Sequence, residues 1–277
     1  MQPDLIVDHA SGFPSTTPTP DDKGASTDAY QARQEENHPA VVERFLRPII
    51  EPLVPSTILD VGCGVGGMVN ALVDRGYDAF GVDLLDNVEA WQRLGRSRER
   101  FCVVSPDHLV LPFADGSIDF IFSLGVIEHV GTTNGHSDRR PDYHDVREQW
   151  LREVYRVLKP GGHMLIGGPN RHFPIDTHGP DSRASALELW LSRKARVSIH
   201  KTWGEHFLWA FEDFDRYLHG FRYTVTGVSM KNYYNYSKHI GGLAARMFRL
   251  YVNHLPGGLM KSAFNPWTIG LIEKHEA

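Results

Sequence analysis

The chain has 277 residues, 29 Lys+Arg against 34 Asp+Glu, a formal net charge of −5 and 41% hydrophobic residues. This is the composition of an ordinary globular protein, and its acidic balance argues against non-specific binding to nucleic acid or anionic membranes, which draws on clustered Lys and Arg. Two cysteines, Cys63 and Cys102, are too few for a disulfide framework or a cysteine-rich zinc site. No apolar run approaches the roughly 20 residues of a membrane span, and MQPDLIVDHASG lacks the basic-then-apolar layout of a signal peptide, so a cytoplasmic protein is expected.

Residues 1–37, which include SGFPSTTPTPDDKGAST, carry almost nothing to bury and read as a disordered N-terminal tail. A single domain is expected over residues 38–277. It opens on HPAVVERFLRPII, where Pro39 suits a first helical position and Val42, Phe45, Leu46 and Ile49 recur at helical spacing. From residue 57 strand and helix alternate: TILDVG, MVNALVDRG, DAFGVDL, NVEAWQRL, FCVVS, IDFIFSL, then DVREQWLREVYRVL with Val146, Trp150, Leu151, Val154 and Leu158 on one face. KPGG turns the chain into HMLIGG. The near-continuous apolar strands suit a parallel sheet covered on both faces, so the fold class is α/β, a doubly wound sheet.

The rhythm breaks after residue 169. An insertion at about 170–211 opens on PNRHFPIDTHGPDSR, then a helix whose Ser185 and Glu188 form a capping box and whose Leu187, Trp190, Leu191 and Lys194 share a stripe. Trp190, Trp203, Phe207, Trp209 and Phe211 are expected mostly to form a small aromatic core that anchors this helical and loop cap on the sheet, with some free to line a pocket. Regular structure resumes with EDFDRYLHG, RYTVTGV, SKHIGGLAARMFRLYVNHL and a last strand, NPWTIGLIEK. Lying at the carboxyl ends of the strands, the insertion is the expected substrate cap.

ILDVGCGVGGM places Gly62, Gly64, Gly66 and Gly67 between a strand and a helix, where glycines permit a tight turn and close approach of a ligand to free N–H groups. Gly62, Gly64 and Gly67 also satisfy the dinucleotide spacing, and Asp83 stands 21 residues beyond Gly62. On spacing alone an NAD(P)-dependent oxidoreductase is an alternative. Asp60 weighs against it, because an acid two residues before the glycines repels a pyrophosphate and attracts an ammonium group. S-adenosylmethionine carries such an ammonium. Asp60 and the loop then hold its amino-acid end, Asp83 accepts from the ribose hydroxyls, and Asp107 accepts from the adenine amino group. Cys63 reads as a small apolar filler.

In order and spacing, ILDVGCGVGG, GYDAFGVD, SPDHLVLPFADGSIDFIFS, EHV and LREVYRVLKPGGHMLI resemble the class I S-adenosylmethionine-dependent methyltransferases, in the broad branch that methylates small molecules. The resemblance is strong over residues 57–169 and holds in outline over 212–274. It implies a Rossmann-like sheet of about seven strands with the last antiparallel, and S-adenosyl-L-methionine held by Asp60, Gly62, Gly64, Asp83, Asp107 and Leu124, with Leu84 on the adenine face. A silent cofactor-binding subunit is a second alternative. The loop after the fourth strand reads LGVIEHV, without the Asn-Pro-Pro-Tyr or Asp-Pro-Pro-Tyr run of enzymes that methylate base or amide nitrogens. With the acidic charge, that departure points to a small-molecule acceptor rather than nucleic acid, with no integral membrane association.

The sulfonium is already an activated donor, so the protein must align the acceptor, exclude water and remove a proton where a hydroxyl is methylated. Of fifteen histidines, four stand out by position: His129 on the fourth-strand loop, His172 and His178 after the fifth strand at the same end of the sheet, and His206 among the aromatics of the insertion. His129, oriented by Glu128, is the first candidate base for O-methylation, and His178, near Asp176, the second. A divalent metal on Glu128 and His129 would need further ligands from Asp176 or His178, and no metal is expected.

Overall fold

The computed structural model describes residues 36–83, 88–93, 98–104, 110–133, 138–173, 175–176, 185–195, 198–199, 209–234 and 242–276. Residues 1–35 and nearly half of the 170–211 insertion, Trp203, His206 and Phe207 among them, lie outside the described residues, as do Leu84, Asp107 and His178.

Seven strands form one sheet: β1 (Thr57–Val61), β2 (Asp78–Asp83), β3 (Phe101–Val103), β4 (Ile118–Leu124), β5 (Leu158–Pro169), β6 (Tyr223–Gly227) and β7 (Trp267–Lys274). Their spatial order is β6-β7-β5-β4-β1-β2-β3. β1 to β5 run parallel, whereas β7 is antiparallel to both β5 and β6. The α/β doubly wound sheet expected from the sequence, with its last strand antiparallel, is therefore the fold observed.

Alternation of side chains along each strand builds two cores. Leu59, Val61, Ile121, Met164 and Ile166 point to one face. They meet Trp150, Leu151 and Val154 of the helix Tyr143–Val157, and Trp209, Phe214 and Tyr217 around the helix Glu212–Tyr217. Ile58, Phe120, Phe122, Leu124 and Leu165 point to the other face, against Val42, Phe45, Leu46 and Ile50 of the N-terminal helix (α1, residues 36–50) and Val69 and Leu72 of α2 (Gly67–Val73). Among the described residues no helix is long and apolar enough to cross a membrane.

Some positions depart from expectation for local reasons. Within α1 a π turn at Val42–Leu46 inserts extra arc, so Ile50 is fully buried and Ile49 only partly. β5 begins at Leu158 rather than at HMLIGG, running through KPGG with a register shift against β4. The expected helix in the insertion forms over Ala186–Ala195, but Leu187 and Trp190 of its stripe are exposed, so Trp190 does not join an aromatic core. Trp209 does fill that anchoring role, fully buried, stacked on Tyr217 and edge-on to Phe214.

Candidate active site

The carboxyl ends of β1, β2, β4 and β5 bring the candidate residues together. Asp60 shares the parity of Ile58, and Asp83 that of Ala79, so both carboxylates project to the face covered by α1 and α2. Gly62 and Cys63 donate their N–H groups to the Val82 carbonyl at 2.8 and 3.0 Å, folding the glycine loop over the end of β2. Gly64 then donates to Asp83 Oδ2 at 2.7 Å. Gly62 has φ +87°, and a Cβ there would stand 2.3 Å from Val126 Cγ2, so the first-strand and fourth-strand loops touch only because this residue has no side chain. Cys63 is buried and packs against Gly81, as a filler should.

Asp60 is the unusual group. It is buried, and its Oδ2 finds no hydrogen-bond donor among the described residues. Burial, reinforced by the neighbouring Asp83 carboxylate, pushes its carboxyl well above the ordinary range. A buried acid without a donor costs stability, and such a group is kept where a ligand supplies the missing cation or proton donor. Leu124 is buried at the end of β4, close enough to β5 that a Cβ on Gly167 would lie 2.9 Å from its Cδ2.

Glu128 and His129 lie in the turn after β4, where the His129 N–H donates to the Val126 carbonyl at 2.8 Å. Glu128 is buried, and its Oε2 stands 3.0 Å from where a Cβ of Gly168 would be, so its carboxylate occupies the hollow left by that glycine. His129 is half-buried, and its carbonyl accepts from the Thr132 hydroxyl at 2.7 Å. His172 is turned elsewhere: its Nε2 meets Glu212 Oε1 at 2.6 Å. Arg171 pairs with Glu212 and Asp213, so both residues tie the segment after β5 to the helix Glu212–Tyr217. Asp176 sits in a two-residue ladder, Ile175–Asp176 against Ser198–Ile199.

Three supporting residues escape a reading of the sequence. Arg147 is fully buried. Its Nη2 donates to the Ile127 carbonyl at 2.9 Å and its Nε to the Val130 carbonyl at 3.1 Å, bracketing the turn that carries Glu128 and His129. Its guanidinium lies 4.4 Å from the centre of the Tyr143 ring, and burial lowers its pKa against the pull of nearby Tyr143, Tyr217, Asp213 and Glu128. A signal existed: Arg147 is one turn from both Tyr143 and Leu151, inside the apolar stripe. Trp91 Nε1 donates to the Gly64 carbonyl at 2.9 Å while its ring stacks on Phe101, clamping the glycine loop from the β2–β3 side. His38 presses on Gly67, where a Cβ would stand 2.3 Å from its Nδ1. That nitrogen is sealed without a partner, and burial pushes the imidazole down to about 4.

Residues 59–166 match the family model described as a methyltransferase domain. The chain is similar to phosphoethanolamine N-methyltransferase 2 of Caenorhabditis elegans, 34% identical over 116 residues, covering 40% of this chain and 23% of the relative. It is also similar to a probable tRNA methyltransferase 9B of Mus musculus, 32% identical over 158 residues, covering 54% and 30%. The chain thus spans less than a third of the length of these curated relatives. Among solved structures, the plantazolicin methyltransferase BpumL in complex with SAH aligns at a TM-score of 0.50 and 15% identity, covering 94% of this chain and 92% of the other, a likeness of fold.

Proposed function

We propose that the chain, whose residues 59–166 match a methyltransferase-domain model, is a class I S-adenosylmethionine-dependent methyltransferase that transfers a methyl group from S-adenosylmethionine to a hydroxyl of a small-molecule acceptor. The observation that carries the cofactor is Asp60: its buried, donor-less Oδ2 beside Asp83 fits an ammonium group and would repel a pyrophosphate. Bound there, the cofactor supplies an electrophilic methyl. Asp60 would pair with its ammonium, and Asp83 would accept from its ribose hydroxyls. The Gly62, Cys63 and Gly64 N–H groups are already given to Val82 and Asp83, so the glycine loop would serve by close approach, and Leu124 would offer an apolar wall. Asp107 and Leu84 keep their proposed adenine roles.

His129 is the proposed base for the acceptor hydroxyl, on the turn that Arg147 holds from behind. The buried Glu128 carboxylate is placed to stabilise a positive charge at that end of the sheet, and His178 is the alternative base. The segment 170–211 is the proposed substrate cap, and the proposed tail shortens to residues 1–35, because Glu36 and Asn37 already belong to α1. The phosphoethanolamine relative favours a small acceptor; the name of the tRNA relative keeps RNA as the rival.

Calorimetry with S-adenosylmethionine, S-adenosylhomocysteine, NAD and NADP tests the cofactor: the first two should bind and the dinucleotides should not. Binding of the dinucleotides alone would restore the oxidoreductase reading. Turnover is then followed with hydroxyl-bearing small molecules and with unmodified tRNA in parallel; methylation of tRNA alone would overturn the small-molecule acceptor, and cofactor binding without any turnover would mark a non-catalytic subunit.

A further inference from the structure

The chain-wide charge of −5 hides an uneven distribution. From Lys231 to Ile272 the sequence contains no Asp or Glu, yet it carries Lys231, Lys238, Arg246, Arg249 and Lys261. The helix Gly242–Asn253 lies within this stretch and turns Val252 and part of Phe248 to the core. Its outward face is not the polar one that core-packed helices show. Met247 is 60% exposed and Leu250 48%, with Tyr251 at their edge and Phe264, itself 60% exposed, alongside, its carbonyl accepting from the Tyr251 hydroxyl. Arg246, one turn before Leu250, and Arg249 border the same face; both are exposed, and among the described residues neither guanidinium meets a carboxylate. Phe173, from the loop after β5, packs on Phe248 and Tyr251 with ring centres 6.3 Å away in each case, so this ridge adjoins the carboxyl end of the sheet.

We infer that this face is a docking surface for an anionic lipid bilayer, with Met247, Leu250 and Phe264 entering the interface and Arg246 and Arg249 meeting lipid phosphates. An apolar ridge rimmed by exposed cations is the layout of an interfacial helix, whose two contributions, apolar area and attraction to anionic headgroups, act together. A nucleic-acid backbone would satisfy the arginines but leave Met247, Leu250 and Phe264 in water. A second copy of the chain would bring like charges face to face. Neither objection applies to a bilayer, and the inference is independent of which acceptor is methylated.

The test is flotation of the full chain with vesicles of pure phosphatidylcholine against vesicles of phosphatidylcholine and phosphatidylglycerol in equal parts, at low and high salt. The chain should float with the mixed vesicles at low salt and much less with the neutral ones. Arg246→Gln and Arg249→Gln should each lower the partition coefficient about fivefold. The pair Leu250→Ser with Phe264→Ser should lower it with charge unchanged, and all these variants should melt like the wild type because the side chains are exposed. No preference for the mixed vesicles, or wild-type partition in every variant, would overturn the inference. So would a gel shift with tRNA that depends on the two arginines, ignores the serine pair and has no counterpart on vesicles, since the face would then be one for nucleic acid.

Discussion

Two aspartates stand at opposite ends of the same sheet and meet opposite surroundings. Asp119, near the start of β4, accepts from the Thr57 amide and hydroxyl at 2.9 and 2.8 Å and from Lys159 Nζ at 2.7 Å. Burial pulls its carboxyl upward, but Lys159 and the two Thr57 donors outweigh that pull and hold it below the ordinary range. Asp60, near the end of β1, has been given no donor for its Oδ2 and titrates well above the ordinary range. One end of the sheet closes its own charges and so contributes stability; the other leaves a charge open and so costs stability until a ligand arrives. The hollow at the closed end, lined by Leu53, Val54, Pro55, Asp119 and Lys159 to His163, is therefore a poor place to look for chemistry, because its acid is already occupied.

The sharpest way to break this contrast is to remove the proposed base at the open end. For a hydroxyl acceptor, His129→Gln should lower kcat by about 10²–10⁴ with cofactor affinity unchanged. Single-turnover rates beside calorimetric titration separate the two quantities. Full turnover in this variant together with loss in His178→Gln would move the base into the insertion, and full turnover in both would mean that positioning alone carries the reaction. Next in size is Asp60→Asn, which should weaken S-adenosylmethionine binding about 10- to 150-fold, as expected for a charge-assisted hydrogen bond of roughly 1.5–3 kcal/mol. Its melting temperature should hold or rise, because the donor-less charge is gone. A fall in both affinity and stability would mean that Asp60 serves the fold.

Much of this contrast was legible in the chain. Short apolar runs gave the strands, and the positions of Asp60 before the glycines and Asp83 at the end of the second strand marked both as cofactor ligands. What stayed hidden depends on residues distant in sequence meeting in space. Nothing local to Trp91 announces that its indole reaches the Gly64 carbonyl, and nothing local to His38 announces that its ring seals against Gly67. Arg147 was hidden differently: a charged residue on a helix reads as solvent-facing unless its place in the apolar stripe is given more weight than its charge. The π turn that exchanges Ile49 for Ile50 widens one turn of the helix, which a regular helical period does not represent.

His38 sharpens the comparison by adding a titratable group to the open end. Its folded pKa of about 4 lies below the 6.5 of an exposed imidazole, so in that interval the unfolded chain binds more protons than the folded one. Its contribution is therefore fully present above pH 6.5, declines as pH falls and is exhausted below about 4. The loss should not exceed about 2 kcal/mol once water's access to the half-buried residue is discounted. Thermal melts across this range should show the slope in wild type and lack it in His38→Gln. An identical slope in both proteins would mean that the imidazole is not sealed against the glycine loop.

The smallest effect belongs to the closed end, and it tests whether the two ends are independent. Asp119→Ala strips the acceptor from the Thr57 amide, the Thr57 hydroxyl and the Lys159 ammonium at once. About a quarter of the Asp119 side chain is exposed (25%) and more of Lys159 (38%), so water replaces part of what is lost. The expected cost is about 1–2 kcal/mol rather than the larger penalty of a buried pair. Because the folded carboxyl titrates below its unfolded value of 3.8, its contribution is present above that pH and disappears as acid protonates the folded state. Wild type and Asp119→Ala should accordingly differ at neutral pH and converge in acid, and added salt should shrink the difference. S-adenosylmethionine affinity should stay within about twofold of wild type, since sites well apart without shared partners add independently. Should affinity instead fall in step with stability, β1 transmits the loss from Thr57 to Asp60, and the two ends of the sheet form one coupled unit rather than a support and a site.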